Sequence, residues 1–198
     1  MKSKKFLSLF IFLFINMLSI NQSYSIEPDI FVQSTVNRAS EALNKKYSKE
    51  EKIKKLMQIA SETVDIDGIG FYTLGSYRKI ISQNEITQYQ ILFEQYFLKS
   101  FSSRLAEYSN PEIEVVSKKK YNENYTMVSS ILVATEQRPK IKIDWRVYTK
   151  HQENPLIRDL IIEGLSLART QKEEFSSIIQ NNDGDINALF SALKEFIK

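Results

Sequence analysis

The stretch KIKIDWRVYT, residues 140–149, decides the fold. Ile141, Ile143, Trp145 and Val147 alternate with Lys140, Lys142, Asp144 and Arg146. Successive side chains of a strand point to opposite faces, so one face here is apolar and the other charged. That is a half-buried β-strand, and its neighbours extend the pattern. EIEVVSKKKY (112–121), YTMVSSILVAT (125–135) and PLIRDLIIEG (155–164) are further strand candidates. Asn122 to Asn124, Glu136 to Pro139 and His151 to Asn154 separate them. Parallel strands need a crossover of a dozen residues or more, so such short connections predict an antiparallel meander of four strands.

The period changes to helical on both sides of this block. Upstream, residues 28–44 start with Pro28 and place Phe31, Val32, Val36, Ala39 and Leu43 near helical spacing. Ser48 and Glu51 have capping-box spacing ahead of Ile53, Leu56, Met57 and Ala60. Residues 65–80, DIDGIGFYTLGSYRKI, read as a short helix or two bent turns. The strongest helix runs from Ser82 towards Asn110-Pro111, with Tyr89, Phe93, Tyr96, Phe97, Phe101, Leu105 and Tyr108 on its stripe. Downstream come LARTQKEEFSSIIQ and DINALFSALKEFI, the second capped by Asp185. Helices, then strands, then helices predict an α+β domain in which helices cover one face of a curved antiparallel sheet.

Residues 1–25 stand apart. Lys2, Lys4 and Lys5 precede an apolar run from Phe6 to Ile20, and Ser23 and Ser25 hold the small-residue positions before Ile26. This predicts a secretory signal peptide cleaved near Ser25-Ile26, in preference to an uncleaved anchor. As a helix the run spans roughly 22 Å, short of a hydrocarbon core of about 30 Å. Residues 26–198 then form one domain carrying 24 basic and 24 acidic residues. The basicity of the whole chain belongs to the signal, which gives no support for nucleic-acid binding. The absence of cysteine excludes a disulfide scaffold, thiolate metal sites and a lipid-modified N-terminal cysteine.

Several catalytic and binding motifs fail on their own chemistry. Gly164-Leu165-Ser166 after a strand has the look of a nucleophile elbow, but Ala168 occupies the last glycine place. The single histidine, His151, precedes the serine, and a meander lacks the parallel sheet of that hydrolase fold. Gly164 as a bend and Ser166 as a helix cap is the simpler reading. Asp159 and Glu163 lie roughly 13 Å apart along a strand, too far for a glycosidase pair. DIDGIG has Ser76 where a calcium loop needs Glu, and Thr73 where a dinucleotide loop needs Gly. Its carboxylates and glycines read as caps and turns. His151 in a polar hairpin reads as exposed, and Lys118 to Lys120 as a protected strand edge.

The order of segments resembles the MlaC / toluene-tolerance family of periplasmic phospholipid carriers. The likeness runs through VDIDGIGFYTLGSYRK, ILFEQYFLKSFSSRLAEY, VSSILVATEQRPKIKIDWRVY, IRDLIIEGLSLARTQKEEFSSII and DINALFSALKEF. Its most specific pieces are Leu74-Gly75, Asp144-Trp145-Arg146, and Asp159 followed by Glu163 to Leu167. The resemblance implies a non-enzymatic periplasmic shuttle that moves phospholipid between the outer and inner membranes and maintains outer-membrane lipid asymmetry. Its implied partners are an inner-membrane ABC transporter with an MCE-domain protein and an outer-membrane lipoprotein complex. It implies no cofactor and no metal, with bound phospholipid as the ligand. Exposing two acyl chains of about 30 methylenes costs on the order of 25 kcal/mol, so a carrier must enclose them in a deep apolar cavity. The expected lining is Ile143, Trp145 and Val147, with Ile131 and Val133 from the next strand. Phe93, Phe97 and Phe101 of the long helix and Ile69, Phe71 and Leu74 complete it. The competing expectations are an exported hydrolase using Ser166 and a periplasmic interaction module without a ligand.

Overall fold

The computed structural model describes residues 25–108, 111–136 and 138–198. The expected signal peptide falls almost entirely outside the described residues. Helices α1 (Pro28–Ala42), α2 (Lys49–Thr63), α3 (Ile66–Thr73) and α4 (Gln83–Leu105) come first, with a 3-10 turn at Tyr77–Lys79. Strands β1 (Ile113–Asn122), β2 (Tyr125–Leu132), β3 (Ile141–Tyr148), β4 (Leu156–Ile162) and β5 (Leu165–Ser166) follow. Helices α5 (Leu167–Gln180) and α6 (Ile186–Ile197) complete the α+β fold. The sheet has the order β1-β2-β3-β4-β5 and is antiparallel throughout.

Local chemistry sets the helix starts. Ser48 and Ser82 each accept from the backbone N–H three residues on, while Glu51 and Glu85 reach back to the cap N–H. Two orphan donors are satisfied at each start. Helix α4 ends at Leu105, before the expected stop at Asn110-Pro111. There the N–H of Tyr108 bonds the Leu105 carbonyl at 3.0 Å, a tightened last turn that frees the chain to enter β1.

The sheet has five strands where four are expected. After Ile162 the chain reverses through Glu163 and Gly164, with φ of 49° and 86°, and Leu165 pairs back onto Ile162. Positive φ at both central residues is the signature of a tight hairpin turn matched to strand twist. What reads as a bend is therefore a hairpin, and its second strand is two residues long. On the same edge, the N–H of Asp65 bonds the Ile157 carbonyl at 2.9 Å, so the chain between α2 and α3 covers the first half of β4.

Buried side chains form three clusters. One joins Val32 and Val36 of α1 to Val128, Leu132, Ile143, Trp145, Val147 and Ile157 of the sheet. A second lies among α3, α4, α5 and α6 and includes Leu74, Tyr89, Phe93, Phe175, Ile179 and Phe190. A small third one, with Leu43, Leu56 and Ala106, holds α1, α2 and the end of α4 together. Val64, between α2 and α3, packs against both large clusters.

Candidate functional site

On the sheet, register fixes which residues share a face. Ser130 pairs with Ile143, Val128 with Trp145 and Thr126 with Val147. Cross-strand partners point the same way, so these six residues share the face covered by α1. The Trp145 indole N–H donates to Ser130 Oγ at 2.8 Å, and that hydroxyl donates to the Ile143 carbonyl at 3.3 Å. The polar edge of the ring is thus satisfied inside an apolar layer, which is how Trp tolerates burial. Leu160 packs against the same cluster, opposite Trp145.

Among the helices, rings dominate. Phe175 of α5 meets Tyr89 and Phe93 of α4 edge-on, with centroids 6.3 and 6.2 Å apart. Phe97 stacks on Phe101 at 5.5 Å with nearly parallel planes. Gly70 makes this packing possible, because a Cβ there would sit 2.7 Å from Cδ1 of Phe93. Helix α3 approaches α4 closely only because that side chain is missing. The buried Tyr89 hydroxyl and Thr73 Oγ1 are 2.7 Å apart, and burial pushes the phenol pKa well up, keeping it neutral.

The expected lining residues therefore divide. Ile69, Leu74 and Phe93 are buried in the helical cluster, with Phe97 packed against it and Phe101 stacked on Phe97. Ile143, Trp145 and Val147 are buried in the sheet cluster. Ile131 instead pairs with Lys142, on the face that carries Asp144 and Arg146. Grouping Ile131 with Trp145 is a register error, and Val133 continues the same alternation, two residues on. Phe71 is 43% exposed and stacks under the Arg78 guanidinium, 5.1 Å from its ring centroid. A helix turns about 100° per residue, so with Gly70 against Phe93 the next side chain points outward. Phe175 is not among the expected lining residues, although it stands at the centre of the ring cluster. Its signal was weak: it is one ring in an otherwise polar helix sequence.

The polar face of the sheet holds a different arrangement. Asp159 is 3% exposed and accepts from Ser166 Oγ at 2.6 Å and from the Ala168 N–H at 3.0 Å. Arg146 lies 3.5 Å away. Ser166 Oγ in turn accepts from the Arg169 N–H, capping α5 as expected. His151 is exposed in the β3–β4 hairpin, beside Tyr148 and Glu153. Ser166 pairs with Ile161, five residues along β4 from Leu156 at the hairpin end, roughly 16 Å away at 3.3 Å per residue. The lone histidine is at the wrong end of the strand to serve as a base for Ser166. Asp65 caps α3 through the Gly68 N–H and pairs with Arg158, which also donates to the Tyr125 hydroxyl at 2.7 Å. Among the described residues, no group of three or more His, Cys, Asp or Glu could hold a metal ion.

A cavity of about 200 Å³ opens between α1 and α2, lined by Arg38, Glu41, Ala42, Tyr47, Lys55, Gln58 and Ile59. Its lining mixes charged, polar and apolar side chains, and it is smaller than the roughly 300 Å³ at which ligand pockets begin. It is not a seat for acyl chains.

Residues 32–195 match the MlaC protein family, and the chain belongs to that family. The fold is similar to that of a phospholipid-binding protein from Ralstonia solanacearum, solved in complex with a phospholipid. The TM-score is 0.72 at 17% identity, over 87% of this chain and 97% of that one. A search of curated proteins found none that matches.

Proposed function

We propose that this protein is a phospholipid carrier that shields acyl chains from water and performs no catalysis. The observation that carries this reading is membership of the MlaC family over residues 32–195. Likeness of fold to a chain solved with phospholipid bound supports it. The acyl chains enter between the two large apolar clusters. Ile143, Trp145 and Val147 form the sheet wall, and Ile69, Leu74, Phe93, Phe97 and Phe101 the helical wall. Such a layer supplies apolar contact without committed polar groups, leaving the head group outside. The compartment is the periplasm, reached through residues 1–25 as a cleaved signal. The partners are the inner-membrane ABC transporter with its MCE-domain protein and the outer-membrane lipoprotein complex, and the role is maintenance of outer-membrane lipid asymmetry.

The test is the lipid content of purified mature protein. Native mass spectrometry is expected to find co-purifying phospholipid, and Phe97→Asp is expected to release it while the protein remains folded and exported. Mature protein that is consistently lipid-free after purification overturns the reading.

A further inference from the structure

Residues 45–55, KKYSKEEKIKK, hold six lysines and two glutamates. Their four net positive charges sit on a domain that is neutral as a whole, so the remainder is net acidic by the same amount. The segment forms the corner between α1 and α2 and the first turns of α2. Lysines at the start of a helix oppose its macrodipole, which favours acids there. Lys49 and Lys52 occupy that place beside Glu50 and Glu51. Among the described residues, none of the six forms an ion pair. The acids nearby are partly committed. Glu51 is held by the Ser48 cap, and Glu62 by Arg38 and Gln58. Glu41 and Glu50 remain exposed. Lys46 and Lys55 converge on one ring, with ammonium groups 4.8 and 4.6 Å from the Tyr47 centroid. Lys55 and Tyr47 also line the cavity of about 200 Å³.

We infer that this corner docks the protein on a bilayer surface by receiving anionic phospholipid head groups, with Lys46, Tyr47 and Lys55 as the seat. Lys55 is attracted by Glu51, but six lysines against two glutamates leave the corner's cations in excess, and that excess calls for an anion. The kind of surface follows from what the corner lacks. No large hydrophobic residue between Leu43 and Thr63 is exposed, whereas protein interfaces are depleted in Lys and built on aromatic and apolar anchors. A cationic, anchor-free corner matches a sheet of phosphates. Each lysine near such a surface strengthens binding about fivefold. The inference rests on the carrier reading, adds a membrane-docking step to it and uses residues outside the proposed lining.

The experiment is flotation of the mature protein with phosphatidylcholine vesicles, with and without phosphatidylglycerol. Binding is expected only with phosphatidylglycerol, and is expected to weaken as salt is raised. Lys46→Gln with Lys55→Gln should weaken it about thirtyfold. The control pair Lys119→Gln with Lys120→Gln, on exposed β1, should bind like the parent. All variants should keep their thermal midpoint and their co-purified phospholipid, so failure of docking is read separately from failure of the carrier function. Equal binding to neutral vesicles, an equal loss in the control pair, or binding to polyglutamate but not to vesicles overturns the inference.

Discussion

Replacing Asp159 tests how α5 is fastened to the sheet. The carboxylate takes two hydrogen bonds at 2.6 and 3.0 Å, from Ser166 Oγ and the Ala168 N–H, in a site that is almost fully buried. Hydrogen bonds to a charged group contribute about 1.5–3 kcal/mol each. Arg146 at 3.5 Å is half exposed and adds little. Asp159→Ala removes both bonds and leaves a buried N–H without a partner, while relieving the desolvation of one carboxylate. A net loss of roughly 3 kcal/mol follows. With a urea slope of about 2 kcal/mol/M, the unfolding midpoint falls by roughly 1.5 M. Ser166→Ala loses the cap to Arg169 and one of the two bonds, for a smaller loss of roughly 1–2 kcal/mol. Because the two side chains share one bond, the double variant should be less destabilised than the sum by roughly 1 kcal/mol. Urea unfolding of all four proteins measures this cycle. Additive effects, or a Ser166→Ala loss as large as that of Asp159→Ala, would refute the assignment of Asp159 as the anchor.

Gly70→Ala places a methyl group 2.7 Å from the Phe93 ring. Overpacking costs about 1–3 kcal/mol against roughly 1 kcal/mol gained in helix propensity, so the thermal midpoint is expected to fall by a few degrees; a rise would mean that α3 and α4 are not in close contact. Stability should also fall on acidification. The Lys118 ammonium holds Asp29 below its usual range, the Ser48 N–H does so for Glu51, Arg38 for Glu62 and the Ser82 hydroxyl for Glu85. Lowered folded-state pKa values mean stability that is present above the unfolded-state values and is lost as pH falls through the folded ones. The thermal midpoint should therefore drop progressively below about pH 5, and a midpoint that rises there contradicts these pairings.

Much of this fold is readable because caps and alternation are local. Ser48 with Glu51, Asp185, and the residues 141–147 each declare an element within a few positions. The face of β2 is not local. TMVSSILV is apolar on both faces, with Val128 and Leu132 on one and Met127, Ile131 and Val133 on the other, so periodicity cannot choose between them. Only pairing with β3 does, and a slip of one residue reverses the answer. The fifth strand was hidden for another reason. It depends on Glu163 adopting a positive φ, a conformation to which no residue but glycine and, less often, asparagine or aspartate draws attention. Ser166 was legible as a cap, yet its partner Asp159 was not, because that contact exists only once β4 and β5 have paired.

For the proposed carrier, the division of the core into separate clusters bears on where lipid can enter. Opening a space inside the helical cluster would part the Phe175 ring from Tyr89 and Phe93, and edge-on aromatic pairs contribute about 0.5–1.5 kcal/mol beyond their burial. Opening one inside the sheet cluster would expose the Trp145 indole and its bond to Ser130. A separation between the clusters breaks neither set. It strains the joint, where Val64 packs against both, the Asp65 N–H bonds the Ile157 carbonyl, Asp65 pairs with Arg158, and Asp159 holds the start of α5. Burial of acyl chains, at about 0.8 kcal/mol per methylene, outweighs a joint of several kcal/mol after about ten methylenes, a fraction of the roughly 30 in two chains. For such a carrier, an entrance along the seam between the clusters would let filling and emptying leave the packing of each wall intact.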